Sequence, residues 1–110
     1  MENSVNILFV DFVGFERTVK VMAYAKGLAK TVNHPVFNVI ASMDERIEAE
    51  NVKKLKEFKD FGILGEINGE KVLLGNEKIM KEQNVMLKGE TQNKVFLAIN
   101  SQVQAVFRIG

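Results

Sequence analysis

Cysteine and tryptophan are absent from this chain of 110 residues, and histidine and proline occur once each. Without thiols there is no disulfide framework, no thiolate metal site and no cysteine nucleophile. With a single histidine, most catalytic constellations are out of reach. Charge of one sign is missing too: 15 basic residues face 14 acidic ones, for a net charge of +1. Such a balance gives no electrostatic grip on nucleic acid or an anionic membrane. Long apolar runs are also lacking. Near the start, Ile7 to Val10 is interrupted at Asp11 before Phe12 and Val13. That is far too short to span a bilayer, and no basic stretch precedes it as in a signal peptide. The expectation is a soluble, cytoplasmic domain with no nucleic-acid partner and no direct membrane contact.

What is present suffices for one core. Hydrophobic residues make up 46% of the chain and charged residues 26%, the proportions of an ordinary globular domain, so residues 1–110 are read as a single domain. Val5 to Val13 is rich in Val, Ile and Phe, ends at Gly14 and reads as a buried strand. From Phe15 the period changes: Phe15, Val19, Met22, Ala25, Leu28, Ala29 and Val32 recur at helical steps, while Arg17, Lys20, Lys26 and Lys30 lie mostly elsewhere. Gly27 weakens that helix by roughly 1 kcal/mol relative to alanine. Asn33-His34-Pro35 starts a second helix, with Asn33 or His34 as cap and Pro35 in the first turn. Val36, Ile40, Met43 and Ile47 carry it to about Asn51. Lys53 to Lys59 is a basic connector or the start of an edge strand.

Beyond it the period falls to two. Ile63–Ile67 and Lys71–Leu74 flank Asn68-Gly69, a type I′ hairpin signal. Asn76 can cap a short helix through Lys81 or Glu82. Met86 to Gln92 is loop. Val95, Leu97 and Ile99 alternate on one strand, and Val103, Ala105, Phe107 and Ile109 on the next, joined at Asn100-Ser101. Consecutive hairpins leave no room for parallel crossovers, so the fold class is α+β, a mostly antiparallel sheet flanked by helices.

Four places could carry chemistry. His34 is either a helix cap or a ring that stacks on, or bonds to, a planar ligand at a helix start. In Asp60-Phe61-Gly62-Ile63-Leu64-Gly65 the glycines either punctuate a turn or let a ligand approach the main chain, with no P-loop spacing. Asp11 ends a hydrophobic strand as phosphatase nucleophiles do, but the residues after it match no such motif. Asp44, Glu45, Glu48 and Glu50 read as the wet face of a helix that could hold a cation only weakly. From the residues themselves there is a ligand site at most, and no active site.

Taken together, the parts resemble the nucleotide-binding (N) domain of heavy-metal-transporting P-type ATPases of the copper, zinc and cadmium type. His34-Pro35 lies between two helices, Gly62, Gly65 and Gly69 follow at the family spacing, and Val72-Leu73-Leu74-Gly75-Asn76 matches the family's most recognisable run. A last hairpin, Val95 to Ile109, completes the order, so the resemblance covers nearly the whole chain. It implies an N domain that holds ATP, as Mg-ATP in a parent metal-transport ATPase, for phosphoryl transfer to an aspartate on a separate phosphorylation domain. The alternative it implies is a degenerate standalone module with weak or no nucleotide binding. The nucleotide-binding residues carried over are His34, Gly62 and Asn76. The family's first glycine falls on Asp60, its adenine glutamate on Ala29, and the glutamate beside its histidine on Asn33.

Overall fold

A computed structural model describes residues 6–110; Val5, the first residue of the expected strand, lies outside them. The elements run β1 (Ile7–Phe12), α1 (Thr18–Ala29), α2 (Pro35–Ala41), β2 (Lys53–Phe58), β3 (Gly62–Ile67), β4 (Glu70–Gly75), α3 (Glu77–Glu82), β5 (Lys94–Ile99) and β6 (Gln102–Ile109). The strands form one sheet in the order β1-β6-β5-β4-β3-β2, and every neighbouring pair is antiparallel.

Alternation along the strands splits the apolar residues between two faces. Ile63, Ile67, Val72, Leu74, Val95, Leu97, Ile99, Ala105 and Phe107 pack against α1 and α2. Leu73, Phe96 and Ala98 face the other way and meet Ile79 and Met80 of α3. Turn chemistry sets the registers: Asn68 and Gly69 take φ of 52° and 79°, and Asn100 and Ser101 take 49° and 69°, the positive values a two-residue type I′ turn requires. Asn76 caps α3, its Oδ1 accepting from the Ile79 N–H at 3.1 Å.

Several sequence expectations are corrected. The first helix begins at Thr18 rather than Phe15, and Phe15 and Val19 are exposed (103% and 62%) instead of facing the core. Lys26, expected outside, is 6% exposed. Its ammonium donates to the carbonyls of Asp44 (2.8 Å) and Ile47 (2.5 Å). The second helix ends early, at Ala41 rather than Asn51, and Lys26 holds the segment beyond it. The Ser42 hydroxyl donates to the Asn38 and Val39 carbonyls, and Asp44 turns the chain at φ 44°. The segment then runs back across α1, where the Glu50 N–H donates to the Ala23 carbonyl. A Cβ on Gly27 would lie 2.5 Å from the Glu50 carbonyl oxygen. The glycine that weakens the helix is thus what allows this crossing. The acidic residues from Asp44 to Glu50 therefore share no helical face. Finally, Val103 leaves its expected face and packs with the α3 cluster. The register shifts between Leu97 and Ala98, which pair with Ala105 and Val103, so Gln104 is the extra residue of a bulge.

Of Lys53 to Lys59, all but Lys59 form the edge strand β2, whose register shift and lysine-rich sequence blunt it against further pairing. Among the described residues, no helix is long and apolar enough to cross a membrane.

Candidate functional site

Three chain segments meet at one end of the sheet. The first is the turn into α2. Its N-cap is His34, whose Nδ1 accepts from the Val36 N–H at 3.1 Å. The neutral ring thus keeps its proton on Nε2. The second is the β2–β3 turn, Lys59-Asp60-Phe61. The third is the start of α3. They enclose a cleft of about 430 Å³ lined by His34, Phe37, Phe58, Asp60, Phe61, Gly62, Asn76 and Lys78, among others. That volume falls in the range of small-molecule sites.

Asn76 ties the second segment to the third. Its backbone N–H donates to the Phe61 carbonyl at 3.3 Å, and its side-chain amide donates to the Asp60 carbonyl at 3.2 Å. Lys78, two residues on, forms an ion pair with the Asp60 carboxylate at 2.5 Å. That hydrogen bond raises the Lys78 pKa above the ordinary lysine value. Gly62 opens β3 opposite Gly75, and a Cβ on it would stand 2.7 Å from both γ-carbons of Ile79. Its bareness is required by the packing of α3.

Aromatic rings fill the helix side. His34 and Phe61 stack with centroids 4.5 Å apart and planes 13° from parallel. Phe37 leans on both, at 5.1 Å and 4.9 Å. Phe61 does this from φ 78°, a left-handed conformation that bulky residues seldom adopt.

The structure thus brings His34, Asp60, Gly62 and Asn76 to one cleft. It keeps Ala29 out: that residue is 0% exposed within the α1–sheet core. Asp11 lies exposed on β1, away from the cleft lining. No group of three or more potential ligands that could hold a metal ion occurs among the described residues. A second cleft, of about 450 Å³, lies on the α3 face between the Met86–Lys88 loop and β6 and contains none of these residues.

Sequence reasoning missed Phe37, Phe61 and Lys78. Phe37 follows His34 by three residues, the spacing that puts two side chains on one helix face. Phe61 stands between Asp60 and Gly62 with no periodicity to mark it. The Lys78–Asp60 pair is a tertiary contact with no local signal.

No protein-family model matches the chain, and no curated protein matches its sequence. Solved structures do. The N-domain of HMA6, a copper-transporting P-type ATPase, superposes with a TM-score of 0.78 at 17% identity, over 98% of this chain and 100% of that one. The N-domain of HMA8, another copper-transporting P-type ATPase, gives 0.75 at 19% identity, over 98% and 100%. The fold is that of a P-type ATPase N-domain. The N-domain-like chain also matches part of the catalytic domain of the CPx-ATPase CopB-B, studied on nucleotide binding. There the TM-score is 0.74 at 19% identity, over 97% of this chain and 37% of that one. It spans 19% of a zinc-transporting PIB-type ATPase, with a TM-score of 0.71 at 13% identity. At these identities the likeness is one of fold. Within the N-domain-like fold, the cleft lies where two strand ends and the starts of two helices converge.

Proposed function

We propose that this chain is an ATP-binding N domain of a divergent heavy-metal-transporting P-type ATPase. Residues 1–110 act as one cytosolic domain, with adenine nucleotide in the His34–Asp60–Asn76 cleft and the γ-phosphate offered to an aspartate on a separate phosphorylation domain. The convergence of His34, Gly62 and Asn76 on one cleft of small-molecule size is the observation that carries this reading. The fold shared with copper-transporter N-domains, and with a catalytic domain studied on nucleotide binding, supports it. The chain's part would be positioning, which is most of what phosphoryl transfer asks of a protein. His34 presents a flat ring at a helix start, Gly62 leaves the β3 end bare, and Asn76 fixes the Asp60–Phe61 turn.

Amide-shift titration with Mg-ATP tests it. The expected shifts cluster at His34, Phe61, Gly62 and Asn76, with a dissociation constant on the order of 1 mM or weaker. Shifts centred on Asp11 or on the Asp44–Glu50 segment would refute the site.

A second reading, an N-domain-like interaction module that has lost nucleotide, draws on Ala29. Where the family resemblance puts an adenine-binding glutamate, this chain has a methyl group sealed in the core.

A further inference from the structure

The cleft is furnished for a ring and an anion, and the chain supplies both from two consecutive residues. The Phe61 ring lies flat on His34, 4.5 Å away and 13° from parallel. The neighbouring Asp60 carboxylate sits on the Lys78 ammonium. Both backbone carbonyls of the pair are held by Asn76. We propose that Asp60-Phe61 is an internal mimic of the nucleotide, its ring on the base platform and its carboxylate on the phosphate-binding cation, so that bound nucleotide must displace it. This rests on the nucleotide reading above and deepens it, by making residues 60 and 61 competitive determinants of affinity.

The local conformation supports a displaceable element. Phe61 holds φ 78°, a region where a benzyl side chain gains nothing from its own backbone. The ring's place is therefore set by His34 and Phe37, the partners a competing base would take. The Asp60–Lys78 pair is open to water, with both side chains 58% exposed. Such a pair is weak and exchanges readily for another anion. Displacement needs the Asp60 and Phe61 side chains to swing out, while Asn76 keeps their carbonyls and the ladder from Gly62 onward stays paired to β4.

Competition and simple repulsion by Asp60 predict different things. If Asp60 only repels phosphate, removing its charge helps ATP whether or not Lys78 is present. If Asp60 occupies Lys78, the benefit requires Lys78.

The experiment is an amide-shift titration of the wild-type chain, Phe61→Gly, Asp60→Asn, Lys78→Gln and Asp60→Asn/Lys78→Gln with adenosine and with Mg-ATP, the Asp60→Asn gain being read with and without Lys78. Phe61→Gly is expected to tighten both ligands about tenfold, the scale of one base–aromatic contact. Asp60→Asn is expected to tighten ATP and leave adenosine unchanged, and Lys78→Gln to abolish that gain. In the wild type, ATP should also shift the His34 ring protons as the Phe61 ring current leaves. Glycine suits φ 78°, and Phe61→Asn serves as second variant should Phe61→Gly fail to fold. Equal adenosine affinity with and without the Phe61 ring, where binding is seen, would overturn the mimic and leave the nucleotide site standing. A gain from Asp60→Asn that survives Lys78→Gln would overturn the anion half. Folded variants that show no shift with either ligand would sink the nucleotide reading and the mimic with it.

Discussion

Gly62 and Gly75 stand directly opposite each other in the β3–β4 ladder, and one side chain, Ile79 of α3, fills the space over both. In an open strand, alanine for glycine gains about 0.5–1 kcal/mol. Here the added methyl would lie 2.7 Å from the Ile79 γ-carbons, and overpacking of this kind costs about 1–3 kcal/mol. Gly62→Ala is therefore expected to lower the urea midpoint. Combining it with Ile79→Ala should recover part of the loss, so the double mutant is less destabilised than the sum of the singles. Additive losses would show that Ile79 is not the obstacle.

Asn76 serves two elements at once, as α3 cap and as donor to the Asp60 carbonyl. Loss of an asparagine cap costs about 1 kcal/mol. Asn76→Ala should cost at least that in denaturant titration, and should speed amide exchange at Ile79. Asn76→Asp keeps the cap acceptor and loses the amide donor. It should retain slow exchange at Ile79 while the β2–β3 turn loosens.

Ala29 gives a prediction opposite to the one the family resemblance invites. On that resemblance, Ala29→Glu restores an adenine contact and strengthens binding. In the structure the Ala29 methyl is wholly buried in the core, where an uncompensated carboxylate costs about 3 kcal/mol or more. The substitution should lower the melting temperature sharply and leave ATP affinity no better. An unchanged melting temperature with tighter adenosine binding would mean that this end of α1 opens into the cleft.

Acid should weaken the contacts at the start of β4. Glu70 accepts from Tyr24 at 2.9 Å and pairs with Lys20 at 3.0 Å. Lys20, chiefly, holds the Glu70 pKa below the ordinary glutamate value. A carboxylate whose pKa is depressed by folding adds stability above its unfolded pKa of about 4.3, and that stability is lost as pH falls through the folded value. Glu70→Gln should thus be less stable than wild type near about pH 7, with the gap closing below about pH 4. Urea midpoints measured across that window check it; a gap constant with pH would remove the ionised form from the account.

The hairpins were legible because their signals are local. Asn68-Gly69 and the alternation from Val95 to Ile99 depend on neighbours along the chain, and the α3 cap is likewise written in Asn76 and the residues just after it. The second helix misled because Met43 and Ile47 continue its apolar period, and both do pack against the core. Past Ala41 the chain turns at Asp44, and Lys26, distant in sequence, holds the Asp44 and Ile47 carbonyls of the non-helical segment. Phe15 and Val19 fit a helical stripe but lie at its outer end, where no described residue covers them. At the cleft, His34, Gly62 and Asn76 were each visible as punctuation. The ring stack and the Asp60–Lys78 pair join residues that only the folded sheet brings together.

The pairing of β1 with β6 brings the two described ends of the chain within one hydrogen bond, the Gly110 N–H donating to the Asn6 carbonyl at 3.0 Å. In terms of connectivity the backbone from residue 6 to residue 110 is almost a closed ring. A permutant that joins residue 110 to residue 6 by a short linker and opens instead at Gly89 should keep every strand register. Gly89 lies on an exposed loop with open space around it. In that molecule the strands β1 and β6 would become the two arms of an ordinary hairpin, and the longest-range pairing of the fold would become a local one.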